Sequence, residues 1–376
     1  MRFLKPAGLL LVLGLTGILA AQDKLPDGLY AEFTTTHGIF TAEIYYDKVP
    51  LTATNFVGLA EGTIAARNGA PYYTGLKWYR VVPGFVIQSG NPKAPEDGEP
   101  GYSFPDEFVP GLHHGETGIL SMANGGPDTN SAEFFVTLGD DTRLNYLHSV
   151  FGRTVRGLEV LPQIKADDAF SIKILRIGAA AQAFKADETA FKALAAKAGK
   201  YSGATEPGPT AHFDDPDKLI PVDPPRAKNF NFKLANYERV TGVKIVARMF
   251  TKSPTATEDK VPGAYMHALA EKLGVAQRGA LVAYFADEDD WRVWIGDGLT
   301  TAFLGRPAAP ADLGEGAAFH ETKEAFLTAA RQAGDTTFAA QQKAAAADKP
   351  VSPAQHRKLQ TDALLDALIL RLEPKS

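Results

Sequence analysis

The chain has 376 residues, a formal net charge of −5 and no cysteine. This length predicts about two domains, and the hydrophobic (45%) and charged (22%) contents are typical of a chain that buries cores. The acidic balance argues against nucleic-acid binding, because no basic excess is present to neutralise phosphates. The lack of cysteine excludes disulfides, thiolate nucleophiles and thiolate zinc sites.

The N-terminus has the pattern of a signal peptide. Arg2 and Lys5 precede residues 7–21, which are apolar or small and end in Ala20 and Ala21. The run of about 15 residues is shorter than the roughly 20 that span a bilayer. We therefore expect residues 1–21 to be cleaved and the protein to be exported, either to a periplasm or out of the cell. The alternative is a helix that stays attached as a buried or membrane-anchoring segment.

Elements of the first half indicate an all-β domain. Residues 30–35 and 39–46 predict a hairpin, and residues 50–60 predict a helix with proline in its first turn and Gly62 at its end. Further strands are predicted at 77–82, 85–88, 118–122, 134–137, 150–152 and 171–177. Short strands separated by glycine- and proline-rich loops are typical of a closed or nearly closed antiparallel barrel.

The second half has a different pattern. Residues 183–200 predict a helix, and six prolines within 201–226 indicate an interdomain linker, so that residues 181–226 form a helix and linker. Strands at 241–250, 279–286 and 291–295, with a helix at 262–273, predict a small α/β domain over residues 227–330. Residues 331–376 are predicted to form a helical tail.

Three blocks carry the most specific signal. They are WYRVVPGFVIQSG at 78–90, GILSMANGGPDTNSAEFF at 118–135 and LNYLHSVFG at 144–152. In this order and spacing they resemble the cyclophilin family of peptidyl-prolyl cis/trans isomerases over about residues 28–178, which predicts a domain of this type at residues 28–180. The resemblance implies an eight-stranded antiparallel β-barrel capped by two helices, with a substrate groove on the outer face of the barrel.

The resemblance also implies a set of site residues. The catalytic residue is Arg80; the proline pocket is Phe85, Val86, Phe135, Leu144 and His148; the peptide-backbone contacts are Gln88, Ala123 and Asn124. Glu133 stands where many members have glutamine, and it either pairs with Arg80 and orients it or weakens its field. Arg143 stands where cyclosporin-sensitive members have tryptophan, so cyclosporin binding is expected to be weak.

These residue types suit rotation of an X–Pro amide. The partial double bond sets a barrier of about 18–20 kcal/mol, and no bond has to break, so no metal or cofactor is expected. A guanidinium that hydrogen-bonds the prolyl nitrogen interacts more strongly once the amide is twisted, which favours the transition state. The plainer alternatives are a surface arginine at 80, core aromatics at 85 and 135, and a packing histidine at 148.

Other readings remain open. The groove is alternatively a module that binds proline-containing peptides and unfolded exported proteins without useful turnover. Residues 237–304 are similar to the TPM family, which implies a phosphatase or metal-binding domain. Asp287, Asp289 and Asp290 predict either a calcium site or a solvated turn. His113 and His114 are interpreted as loop residues rather than metal ligands, because adjacent strand residues point to opposite faces and no cysteine or acidic cluster lies nearby at ligand spacing.

Overall fold

The computed structural model describes residues 24–65, 70–91, 100–200, 206–314, 316–345 and 350–375. The predicted signal peptide, residues 1–21, lies outside the described residues. Among the helices that are described, none is long and apolar enough to cross a membrane. The chain forms two units, a β-barrel and an α/β unit, that pack against each other.

The first unit is a single curled sheet of eight antiparallel strands, which confirms the predicted barrel. The strands are β1 (Gly28–Thr35), β2 (Gly38–Ile44), β3 (Arg80–Val82), β4 (Val86–Ser89), β5 (Ile119–Met122), β6 (Phe134–Thr137), β7 (Val150–Arg156) and β8 (Phe170–Ile177). Their order across the sheet is β3-β4-β6-β5-β7-β2-β1-β8. The two edges meet at an antiparallel bridge between Lys77 and Ala169, so the sheet nearly closes.

Every second side chain along a strand points inward, and these side chains fill the interior of the barrel. Successive strand residues point to opposite faces, so Phe33 of β1 and Phe40 of β2 point inward and stack with ring centroids 4.4 Å apart. Helix α1 (Pro50–Glu61) closes one end and stops at Gly62, whose φ of 74° suits glycine. The second cap is a short 3-10 helix, Leu158–Gln163, with Val160 and Leu161 buried.

The predicted helix over 183–200 is shorter in the structure, and a break separates it from a second short helix that precedes it. Helix α2 covers Ala179–Ala183 and helix α3 covers Glu188–Ala195. The break occurs because Asp187 caps α3, with its carboxylate accepting a 2.9 Å hydrogen bond from the Ala190 amide. Phe191 of α3 joins the barrel core, so this part of the predicted linker region belongs to the first unit.

The second unit is a four-stranded mixed sheet with helices on both faces. Its strands are β9 (Phe213–Asp214), β10 (Lys244–Phe250), β11 (Gly279–Phe285) and β12 (Asp290–Ile295), in the order β12-β11-β10-β9. Strands β9, β10 and β11 are parallel and β12 is antiparallel. Strand β9 lies within the proline-rich segment that was predicted to be a linker. Phe213 of this strand is fully buried in the core of the second unit, so this part of the segment belongs to that unit.

Within the described residues, five α-helices belong to the second unit. They are α4 (Arg226–Thr241), α5 (Ala264–Lys272), α6 (Thr300–Leu304), α7 (Ala318–Ala344) and α8 (Pro353–Leu372). Helix α5 packs on one face of the sheet, and α4, α7 and α8 share the core on the other. Leu364, Leu365 and Leu368 of α8 are fully buried in that core, so the segment predicted as a tail is integral to the unit.

The loop that precedes β7 joins the two units. Tyr146 lies in this loop with a φ of 59° and is buried in the core of the second unit. Its ring packs edge-on against Tyr237 of α4 with centroids 5.2 Å apart. The Asn236 side chain donates a 2.7 Å hydrogen bond to the Tyr146 carbonyl, and the Tyr146 hydroxyl bonds the carboxylate of Glu373. The C-terminal unit therefore faces the loop that carries Leu144 and His148.

Candidate active site

Three neighbouring strands align the central residues of the predicted site. Arg80 of β3 lies opposite Gln88 of β4, and Gln88 lies opposite Phe135 of β6. The residues on either side of Phe135, Phe134 and Val136, belong to the barrel core. Because strand neighbours alternate in direction, Arg80, Gln88 and Phe135 form a row on the outer face of the barrel.

An apolar pocket lies beside this row and is separate from the barrel core. Val86, Ala123 and Phe135 are buried there, at 2%, 8% and 4% exposure, and the half-buried Phe85 and Leu144 pack against them. His148 also borders the pocket, with its ring edge-on to Phe135 at a centroid distance of 5.5 Å. The structure thus brings together all five residues predicted to form the proline pocket.

A chain of hydrogen bonds positions Arg80. Its Nη1 donates to Gln88 Oε1 at 2.8 Å, and the Gln88 amide donates in turn to the Tyr79 hydroxyl. Tyr79 donates to Glu133 Oε1 at 2.9 Å. Burial, followed by the nearby Glu133 carboxylate, raises the pKa of Tyr79 above its usual value, so the phenol keeps its proton.

The expected direct pairing of Glu133 with Arg80 is not formed. In the described part of the chain no ion pair or hydrogen bond joins these two residues, and Tyr79 and Gln88 stand between them. The physical reason is that the Glu133 carboxylate is taken up by the Tyr79 hydroxyl. Sequence reasoning did not assign a role to Tyr79, although it directly precedes Arg80 in the first motif block.

The two ring nitrogens of His148 have different surroundings. Nδ1 donates to the Met122 carbonyl at 2.9 Å, which fixes the neutral tautomer with its proton on Nδ1. Burial lowers the pKa of His148 to about 4, against the smaller opposing effect of that hydrogen bond. His148 is therefore an uncharged wall of the pocket at neutral pH.

A second histidine supports the pocket from behind. His114 is fully buried and stacks on Phe135 with centroids 5.8 Å apart. Its Nδ1 lies 2.9 Å from Asn145 Oδ1 and its Nε2 lies 2.9 Å from Ser121 Oγ. Burial lowers the pKa of His114 to about 3, so it too is neutral. Both of its ring nitrogens are engaged, and it lies outside regular secondary structure as the sequence indicated.

A smaller cavity of about 160 Å³ shares Ala123 with the apolar pocket. Its walls include Ala123, Asn124 and Glu133, together with Gly90 and Thr129. The Asn124 side chain is already committed to the protein, because Nδ2 donates to the Leu147 carbonyl at 2.9 Å and Oδ1 accepts from the Gly126 amide at 3.2 Å. Any contact of Asn124 with a peptide therefore falls to its main chain.

The second unit supplies part of the wall of the larger cavity at the proline pocket. This cavity of about 470 Å³ is lined on the barrel side by Arg80, Phe85, Arg143, Leu144, Leu147 and His148. Helices α4, α7 and α8 line the opposite side with Arg226, Asn229, Phe230, Lys233, Gln341, Gln355, Lys358 and Asp362. A larger cavity of about 650 Å³ beside Tyr45 and Arg153 contains none of the predicted site residues.

Sequence reasoning missed the residues of α4 that line this cavity. Phe230, Leu234 and Tyr237 recur at helical spacing and Gly242 follows as a stop signal, so the helix itself was detectable. Its packing against the barrel was not detectable, because nothing in the local pattern of one unit specifies which surface of the other it meets.

The carboxylates of the predicted acidic turn, Asp287, Asp289 and Asp290, each bond different partners and do not converge on a common point. Asp287 accepts hydrogen bonds from Ser253, Asp289 bonds Tyr284 and Arg331, and Asp290 pairs with Arg292. Among the described residues no group of three histidine or acidic side chains is placed to hold a metal ion. The geometry therefore gives no support to a calcium site at this turn, and the phosphatase and TPM readings of this half stay predictions.

Comparison with known proteins shows the family to which the first unit is similar. The family described as cyclophilin type peptidyl-prolyl cis-trans isomerase/CLD matches residues 30–179. A probable peptidyl-prolyl cis-trans isomerase A of Mycobacterium leprae (strain TN) is 41% identical over 137 residues, which are 35% of this chain and 75% of that protein. The peptidyl-prolyl cis-trans isomerase ppi1 of Schizosaccharomyces pombe is 44% identical over 133 residues, 34% of this chain and 80% of that protein.

A solved cyclophilin type peptidyl-prolyl cis-trans isomerase from Cryptosporidium parvum is 28% identical, with a TM-score of 0.34, and the match covers 40% of this chain and 98% of that one. The chain belongs to the cyclophilin-type peptidyl-prolyl cis-trans isomerase family, and its enzyme class is that of the cis-trans isomerases of X–Pro bonds. The family match ends at residue 179, so the second unit lies outside it.

Proposed function

We propose that Arg80 accelerates cis/trans exchange of X–Pro bonds by stabilising the twisted amide, with the proline ring held in the adjacent apolar pocket. The observation that carries this proposal is the position of Arg80, which Gln88 holds at 2.8 Å beside a pocket walled by Val86 and Phe135. The Arg80 guanidinium carbon lies 5.5 Å from the centroid of the Phe85 ring, so the charge sits at the rim of the pocket.

The pocket grips only one part of the substrate. A proline ring is apolar and fits against Phe85, Val86, Phe135 and Leu144, whereas the preceding carbonyl must stay free to rotate. With the proline ring held and the preceding carbonyl mobile, the bound substrate can rotate about the X–Pro amide bond. His148 contributes a neutral wall, since its pKa of about 4 leaves it uncharged.

Arg80 then discriminates between the planar and the twisted amide. In the planar amide the nitrogen lone pair is delocalised and accepts a hydrogen bond poorly. In the twisted amide the lone pair is localised, and the guanidinium donates to it strongly, so the interaction lowers the barrier rather than the ground state. Gln88 occupies one Nη1 proton and thereby fixes the direction of the remaining donors.

The peptide backbone next to the proline runs along the outer-face row. We propose that Gln88 and the main chain at Ala123 and Asn124 contact it, with the cavity beside Glu133 receiving a neighbouring residue. Glu133 acts at a distance, since it reaches Arg80 only through Tyr79 and Gln88. The partners are proline-containing peptides and unfolded proteins.

We also propose that the substrates are exported proteins, in a periplasm or outside the cell. The support is the basic Arg2 and Lys5 followed by the apolar run at 7–21. Mass measurement of the N-terminus of the protein recovered from its own cells tests this. A mature chain that starts at about residue 22 supports export, and an intact Met1 in the cytoplasm rejects it.

The isomerase proposal is tested by exchange of a short peptide with a single X–Pro bond, observed by NMR line broadening or by a coupled cleavage assay. Purified protein should raise the exchange rate far above the uncatalysed rate, which has a time constant of tens to hundreds of seconds. Binding of the peptide without faster exchange would mean that the groove is a recognition module only.

A further inference from the structure

The cavity at the proline pocket is shared between the two units. Phe85, Leu144 and His148 form its barrel side and the proline pocket at once, while α4 and α8 form its other side. A substrate whose proline occupies the pocket therefore places a neighbouring residue in this cavity, because one residue advances the chain by about 3.3–3.6 Å. This inference rests on the proposed function, since it takes the proline position from it.

The cavity carries an excess of positive charge. It is lined by five basic side chains and by one acidic side chain, Asp362. Three of the five are paired with carboxylates: Arg143 with Asp141 at 3.2 Å, Lys233 with Asp366, and Lys358 with Asp362. The other two, Arg80 and Arg226, form no ion pair with any residue that the structure describes.

Arg226 is the unpaired cation that the second unit contributes. Its Nε is buried and has no hydrogen-bond partner within the described chain, and the same holds for Nε of Arg143 on the opposite wall. A buried donor without an acceptor costs free energy, which a ligand oxygen removes. Arg226 is also the first residue of the 16-residue helix α4, whose N-terminus adds to the positive potential.

The remaining polar walls suit a carboxylate as well. Asn229, Gln341 and Gln355 are neutral amides that donate hydrogen bonds without adding negative charge. A guanidinium presents parallel donors that match the two oxygens of a carboxylate. The volume of about 470 Å³ accommodates an acidic side chain and its backbone, in addition to the proline.

We propose that this cavity is a subsite for the carboxylate of an aspartate or glutamate adjacent to, or one residue removed from, the proline of the substrate. Arg226 is the residue that binds it, with Arg143 on the facing wall. The second unit thereby makes the isomerase selective for acidic proline-containing segments. The barrel by itself has no counterpart of Arg226 in this cavity.

The test compares peptides of one sequence that carry glutamate, glutamine or lysine at each of the two positions on either side of proline. At one of these positions the full-length mature chain should give a kcat/KM about tenfold higher for glutamate than for glutamine, with lysine lowest. Raising the salt concentration from about 0.05 to about 0.5 M should shrink this ratio, because Arg226 as a whole is only partly buried and its attraction to a carboxylate is therefore screened.

Arg226→Gln should bring the glutamate-to-glutamine ratio to about one, and Arg226→Lys, which keeps the charge but lacks the planar fork, should retain only part of it. The matched control is Arg239→Gln, since Arg239 is an exposed arginine at the far end of α4 that does not line the cavity. It should leave the ratio unchanged.

Each failure has a distinct meaning. Equal kcat/KM for the glutamate, glutamine and lysine peptides, or a ratio that survives Arg226→Gln, overturns the acidic subsite while the isomerase proposal stands. Failure to accelerate exchange in the glutamine peptide overturns the isomerase proposal itself. Should Arg226→Gln fail to fold, the salt dependence of the wild-type glutamate-to-glutamine ratio still tests the subsite. A ratio that does not change with salt concentration contradicts it.

Discussion

The guanidinium carbon of Arg143 lies 4.3 Å from the centroid of the Phe85 ring. Arg143 is held there by a 3.2 Å hydrogen bond from Nη2 to the buried carboxylate of Asp141. Arg80 approaches the same ring at 5.5 Å. The outer rim of the proline pocket is therefore covered by two guanidiniums, where an aromatic side chain would make it apolar.

This relationship predicts weak inhibition by cyclosporin. A bulky apolar ligand has to desolvate Arg143 and displace it from Phe85, and no apolar surface replaces the lost contact. Arg143→Trp should strengthen inhibition by at least about tenfold, which corresponds to roughly 1.4 kcal/mol. Inhibition constants for the wild type and the variant provide the check. A nanomolar constant for the wild type would contradict the expectation.

The pH dependence of catalysis should be flat around neutrality. Burial lowers the pKa of His148 to about 4, so this residue is neutral above about pH 5 and protonates only as the pH falls through 4. The mechanism moves no proton, and arginine stays charged in this range. The kcat/KM for a peptide without ionisable side chains should vary by less than about twofold between about pH 7 and 8.5, a range above the pKa of about 6 that burial gives the Asp141 carboxylate beside Arg143.

His148→Gln is the control for this profile, because it removes the titrating ring and keeps a polar side chain. Its activity is expected to be lower but equally flat. An inflection near pH 6.5 in the wild type that vanishes in His148→Gln would show that the histidine acts as an acid or base.

The contact of Tyr146 with the second unit should position the proline pocket. Tyr146 lies between Leu144 and His148 in the chain, and its ring is anchored on Tyr237. Tyr146→Ala removes that anchor, and a small misplacement of pocket residues is expected to lower kcat/KM by about tenfold or more, mainly through KM. Tyr146→Phe keeps the ring and should stay close to wild type.

Met266→Ala separates this effect from general destabilisation. Met266 is buried on the opposite face of the second sheet, away from the barrel, so its loss should cost about 2–5 kcal/mol of stability in that unit. Peptide kinetics at a temperature where both variants are folded make the comparison. If Met266→Ala lowers kcat/KM as much as Tyr146→Ala, the positioning role is wrong.

A buried ion pair joins two of the helices that line the shared cavity. Lys233 of α4 contacts Asp366 of α8, with side-chain exposures of 1% and 8%. Lys233→Met leaves the carboxylate buried without its partner and should lower the free energy of unfolding by about 3–5 kcal/mol. Lys233→Met combined with Asp366→Leu should restore most of it, because two apolar side chains of similar size then replace the pair.

Urea unfolding followed by tryptophan fluorescence measures both variants, since Trp291 and Trp294 report on the second unit. A double variant as unstable as Lys233→Met would show that the loss comes from packing, and not from the unpaired charge.

The barrel and its pocket were predictable from sequence because their signals are local. Strand β6 has the predicted bounds Phe134–Thr137, since a run of 4 residues between turn residues is too short for a helix and has a length typical of a strand. The motif blocks name Arg80 and five pocket residues that lie close together in the structure, and their roles stay predictions. Alternation along β4 and β6 then accounts for Val86, Gln88 and Phe135 sharing the outer face.

The features that sequence did not reveal depend on contacts between distant segments. Glu133 bonds Tyr79 and not Arg80, a choice between two donors that only side-chain geometry decides. Tyr146 enters the core of the second unit, although a tyrosine within a motif block is equally compatible with a solvent-facing position. Arg226 faces Arg143 across the cavity because the two units dock through that loop, and no periodicity within either unit encodes such a docking.

Arg80→Ala, assayed for peptide isomer exchange, tests the central claim most directly, with Arg80→Lys as the matched variant and the circular dichroism spectrum as the check on folding. Removing one preorganised donor is expected to lower kcat/KM by about 10²–10³ while the spectrum stays unchanged. Arg80→Lys should recover only part of the rate, because an ammonium keeps the charge but lacks the planar fork. Undiminished exchange in folded Arg80→Ala would contradict the account.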